Sequence, residues 1–96
     1  MSRSLTERRL FDITERLGRA REELSVLEEQ LAALNDMAED ARTRALVSET
    51  PLASQEFQEA QRHADAMAKG RDAVLKTITE LENSQTELLD RLLSEG

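Results

Sequence analysis

The sequence predicts an all-α fold, with two long helices forming an antiparallel coiled-coil hairpin that dimerises into a four-helix arrangement. Three observations lead there. A heptad pattern of apolar residues runs through the first half, and a second heptad runs through the other half. Between them the register breaks at Pro51, the only proline in the chain.

In the first half, Leu10, Ile13, Leu17, Ala20, Leu24, Leu27, Leu31, Leu34, Ala38, Ala41 and Ala45 follow at alternating steps of three and four. That is a heptad seam with Leu10 at position a and Ile13 at position d. In the second half, Ala53, Phe57, Ala60, Ala64, Met67, Arg71, Val74, Ile78, Leu81, Gln85, Leu88 and Leu92 keep the same alternation, with Phe57 at a. A period of 3.5 residues excludes strands, whose side chains alternate with a period of two.

Extending the first seam would bring in Ser48 and Leu52, whereas the second requires Ala53. Thr50 then Pro51 is a helix-start signal: a hydroxyl N-cap, followed by proline where its missing N–H costs nothing. Proline also pushes the residue before it out of the α region, so the first helix should end by about Glu49. These boundaries make one domain over 1–96, with helices at 4–47 and 51–94 and a corner at 48–50. Each helix would be about 65–70 Å long at 1.5 Å per residue.

Folding back about Glu49 pairs residues whose numbers sum to 98, so that Leu10 meets Leu88, Leu17 meets Leu81 and Leu24 meets Val74. Every a position then faces a d position, and alanine layers gather near the corner. The alternative is one continuous helix of about 140 Å pairing with a second chain. Gly18 and Gly70 interrupt the helical pattern at about 1 kcal/mol each relative to Ala, and are places for it to bend. Arg71 and Gln85 stand in the seam, where polar residues commonly fix register.

Composition supports the hairpin. Of 96 residues 39% are hydrophobic and 34% charged, but only Phe11 and Phe57 are aromatic. Leucine and alanine must therefore do the packing. The net charge of −7 argues against binding a phosphate backbone. The arginines of the first 21 residues are interleaved with Glu7, Asp12 and Glu15 and read as solvated helix surface. Without cysteine there is no disulfide, thiolate metal site or thiol chemistry. No apolar run is long enough for a membrane span, and no signal-type segment stands at the start, so a soluble cytoplasmic protein is expected.

Some residues are left over from the two-helix seam. Leu75 and Leu89 occupy e positions of the second helix and Leu93 a b position; Phe11 and Gly18 fall at b in the first. In an antiparallel hairpin the e and b positions of both helices share one lateral flank, where exposed apolar residues mark a contact surface. Near the corner, Asp36, Glu39, Asp40 and Glu49, followed by Glu56 and Glu59, form an acidic group able to dock on a basic partner or hold a hard cation. Acidic outer faces are also ordinary solvated surface, and Arg44 is placed to pair with Glu56. Glu59 and His63, one turn apart, are the only His–carboxylate pair for a metal-dependent enzyme, and a lone His on a helix flank is more often plain surface. No phosphate loop or nucleophile–base pair is present, and a two-helix hairpin offers no cleft to exclude water.

The stretch Ser54-Gln55-Glu56-Phe57 with Ala60 resembles the start of the second hairpin helix in bacterial transcript-cleavage (Gre) factors. Those hairpins enter the RNA polymerase secondary channel and offer acidic residues to the active-site Mg²⁺. Thr50 and Ala53 stand where that family has its two acidic tip residues, and the family's globular C-terminal domain has no counterpart here. The resemblance therefore implies polymerase binding without cleavage. "SETPL" in place of a WxG turn sets the chain apart from the secreted helical-hairpin family of similar size. The Arg/Ala/Glu-rich texture resembles small uncharacterised coiled-coil proteins of actinobacteria, a resemblance that carries no functional residues.

The expectation is a non-enzymatic cytoplasmic coiled-coil adaptor, regulator or scaffold. It would be a homodimer with an unidentified protein partner, using no cofactor, metal, nucleic acid or membrane. The alternative is an acidic-tip hairpin regulator of RNA polymerase or another large enzyme, and a third class is a metal-dependent enzyme.

Overall fold

The computed structural model describes residues 3–95, in two α-helices and no strand: α1, Arg3–Ser48, and α2, Pro51–Glu95. By contacts the chain divides into two compact units. The described residues of Met1–Leu24 and Ala73–Gly96 form a terminal unit, and Ser25–Asp72 form a corner unit. In each, a stretch of α1 packs against a stretch of α2, and cross-helix partners rise in number along one helix as they fall along the other. Arg3, Thr14 and Arg21 bond to Leu92, Gln85 and Glu82 in the terminal unit. In the corner unit Met37 and Arg44 line one groove with Ala60 and Glu56. Both pairings are antiparallel, as the hairpin requires.

The two heptads are the packing surfaces. Every a and d position named above is buried or half-buried, apolar or not. In the terminal unit Leu17, Ala20, Ile78 and Leu81 form a buried cluster with Ile13, Leu24 and Val74 packed against it, and Leu88 is buried too. Thr6 is also fully buried there, one heptad step before Leu10, at a place the apolar pattern did not reach. In the corner unit the buried apolar residues are Leu31, Ala38, Ala41, Ala53 and Ala64.

The corner is two residues, one fewer than expected, because Ser48 remains helical. The chain turns at Glu49, whose φ of 51° lies in the left-handed region. Its N–H still donates to the Ala45 carbonyl at 3.0 Å. That single bond from a left-handed residue is the αL way of ending a helix, usually made by glycine. Thr50 then caps α2 as expected: its Oγ1 accepts from the Ala53 N–H at 3.1 Å, and its carbonyl accepts from Ser54 N–H at 3.1 Å. Pro51 is therefore the first residue of α2, a corner and not a hinge.

The seam's polar members find partners. Gln85 donates through Nε2 to Thr14 Oγ1 at 3.2 Å. Arg71 keeps its stem in the seam and turns Nε to Asp72 at 2.8 Å. Among the described residues no buried side-chain nitrogen or oxygen lacks a partner. The helices continue through Gly18 and Gly70 without interruption.

Candidate interaction surface

The flank expected to collect Phe11, Gly18, Leu75, Leu89 and Leu93 lies wholly in the terminal unit. The Arg21–Glu82 ion pair at 3.1 Å joins two e positions across the helices. Thr14, another e position, receives the bond from Gln85. These contacts confirm that the e positions of the two segments share one side. Both members of the ion pair are half exposed, so it contributes little to stability and serves mainly to mark the face.

On that side four large apolar side chains remain in contact with water: Phe11 is 67% exposed, Leu75 40%, Leu89 42% and Leu93 79%. A side chain at Gly18 would meet nothing within 4 Å, so the glycine leaves open surface. The unit's own packing covers more than half of Leu75 and Leu89 and leaves Phe11 and Leu93 largely uncovered. Burying a fully exposed Leu or Phe is favourable by about 1.5–3 kcal/mol, so Phe11 and Leu93 have most of that to gain from further burial and Leu75 and Leu89 less than half.

The acidic group is in the corner unit, and Asp36, Glu39, Asp40 and Glu49 are all exposed. None of them forms an ion pair among the described residues. Arg44 and Glu56 line one groove with Met37 and Asp40, but the expected ion pair between them does not form. Both side chains are exposed, where attraction barely offsets the entropy of holding two long chains still. His63 is exposed beside a shallow groove with Leu34, Met67 and Gly70. Among the described residues no group of three or more His, Cys, Asp and Glu is arranged to hold a metal ion. None of the described helices is long and apolar enough to cross a membrane.

Two surface features escaped the sequence reading. Leu46, Val47 and Leu52, around the corner, are 65–79% exposed. All three fall at b or c heptad positions, the signal that would have shown them. In the terminal unit, a groove of about 530 Å³ runs along the side away from the e positions. Leu5, Ile13 and Leu88 line it with Arg8, Arg9 and Arg91, and Asp12 and Glu87 stand beside them. No protein-family model, curated protein or solved structure matches this chain.

Proposed function

We propose that the chain is a non-enzymatic coiled-coil adaptor or scaffold that works through protein contacts and self-associates through the Phe11–Leu75–Leu89–Leu93 flank. The observation that supports this is the exposure of Phe11, Leu75, Leu89 and Leu93, at b and e positions of a unit whose seam is already filled. A two-helix pairing buries a small core, and small scaffolds of this kind are commonly completed by oligomerisation. A second hairpin against the flank completes a four-helix arrangement, with Gly18 admitting the close approach of a helix backbone.

Light scattering at low micromolar concentration tests the reading. The wild-type chain should run as a dimer, and Leu89→Glu, which buries a charge in the contact, should run as a helical monomer. An unchanged mass for Leu89→Glu removes the flank as the interface. A constant wild-type monomer removes self-association and leaves the flank for a different protein.

The exposed and unpaired Asp36, Glu39, Asp40 and Glu49, beside an apolar corner, favour a second reading: a hairpin whose tip docks on a large enzyme such as RNA polymerase. Replacing these four by Ala should then abolish partner capture without altering dimer mass. A scaffold acting through the flank should tolerate the change.

A further inference from the structure

The groove of the terminal unit and the corner carry complementary chemistry. The groove has an apolar floor of half-buried Leu5 and Ile13 and buried Leu88. Arg8, Arg9 and Arg91 rim it, all exposed and none in an ion pair among the described residues, although Asp12 and Glu87 are close by. The corner is the converse, an exposed apolar projection formed by Leu46, Val47 and Leu52. It carries the carboxylate of Glu49 at its turn. Nothing within the corner unit covers these side chains, although the hairpin has many polar positions available at b and c.

We propose that the corner of one copy seats in the arginine-rimmed groove of a second copy, placing Leu46, Val47 and Leu52 on the Leu5–Ile13–Leu88 floor and Glu49 among the arginines. The occupant is a second copy because the same chain supplies both halves of the match: apolar projection to apolar floor, and an unpaired carboxylate to unpaired guanidiniums. Guanidiniums around a carboxylate form the stronger, charge-assisted kind of hydrogen bond. The contact is heterologous, since different patches meet, and the pair keeps one free groove, on the copy that gave its corner, and one free corner, on the other. Such a contact propagates as open chains unless its rotation closes a ring. It involves few side chains and is therefore weaker than the flank contact, growing only at high concentration.

The inference stands apart from the flank reading and is tested without it, in a chain carrying Leu75→Glu and Leu89→Glu. Two further variants are made in that chain. One blocks the corner (Leu46→Asp with Leu52→Asp) and the other blocks the groove (Arg9→Glu with Arg91→Glu). All four changes are at exposed positions, and circular dichroism confirms that the helices persist. Mass is followed by sedimentation equilibrium up to several hundred micromolar.

The flank-blocked parent should rise past twice the monomer mass with concentration, and each further variant alone should remain monomeric. Mixed in equal amounts, the two blocked variants should form a one-to-one complex and stop there, because the only intact corner meets the only intact groove. A parent that stays monomeric, a blocked variant that still grows, or a mixture that stays monomeric overturns the proposal. The outcome for the flank is read separately, from the low-concentration dimer of the wild-type chain.

Discussion

The terminal unit buries Leu17, Ala20, Ile78, Leu81 and Leu88; the corner unit buries Leu31 and four alanines, Ala38, Ala41, Ala53 and Ala64. Both follow one heptad rule, but the side chains differ by several methyl groups per layer, at about 0.8 kcal/mol for each buried CH₂. Chain connectivity explains why the smaller core suffices. Ala45 and Ala53 are eight residues apart, whereas Leu10 and its seam partner Leu88 are 78 apart. Closing the longer loop by itself costs about 2 kcal/mol more, from (3/2)RT ln n. The corner unit also has its turn specified by the Thr50 cap and Pro51. The unit held by a short connection can use alanine, while the unit whose seam partners lie far apart in the sequence relies on leucine.

The largest effect that breaks this comparison comes from exchanging the side chains. Leu17 is 1% exposed, and Leu17→Ala should cost about 2–5 kcal/mol, the range for deleting a buried leucine. Ala41 is 3% exposed in the corner unit, where Ala41→Leu adds volume to a buried position and should cost about 1–3 kcal/mol by overpacking. Thermal unfolding gives both magnitudes, and hydrogen exchange shows where each acts. Leu17→Ala should strip protection from the terminal unit while amides of the corner unit stay protected. Protection lost equally in both units would show that they open together and that their difference in core has no local consequence.

The same comparison shows what the sequence makes legible. The seams of both units were readable because Leu and Ala recur at heptad spacing, and all those positions are buried or half-buried. Thr6 was not, because a hydroxyl-bearing residue does not score as apolar even at a d position. Exposed Leu46, Val47 and Leu52 were not legible as a patch, because single apolar residues at b and c positions are ordinary helix surface until the turn brings them together. The flank was legible as residues in excess of the seam. A contact with another chain is not legible in the same way, since a heptad describes how a helix faces its own partner and says nothing of the next chain.

Glu49 sharpens the corner half of the comparison. Sequence reading found the cap and the proline but had no signal for a left-handed glutamate, since Gly is the usual occupant. A non-glycine residue held there costs on the order of 1 kcal/mol or slightly more, and glycine's extra freedom in the unfolded chain returns part of it. Glu49→Gly should therefore stabilise by about 0.5–1 kcal/mol, which for a chain of this size is roughly 2–8 °C in Tm. A lower Tm would mean that the Glu49 side chain itself makes a contact worth more than the strain. A gain in Tm together with loss of the high-concentration assembly is the pattern expected if its carboxylate also serves the groove.

Effects of similar size come from the two helical glycines, one in each unit, and the difference between them, smaller still, separates packing within a chain from packing between chains. A Cβ at either meets nothing within 4 Å, so within one chain Gly18→Ala and Gly70→Ala should behave alike. Each removes a helix penalty of about 1 kcal/mol. Gly18 lies on the apolar flank, however, whereas Gly70 borders the shallow groove with His63 and Met67. If a second hairpin approaches the flank closely, the new methyl at Gly18 obstructs it. The gain from Gly70→Ala should then be the same at every concentration, while that from Gly18→Ala should shrink or reverse as the dimer forms. Melting curves over a hundredfold range of concentration make the comparison directly. Parallel gains throughout would place Gly18 outside any interface and move the contact toward Leu89 and Leu93, where the flank stays apolar without it.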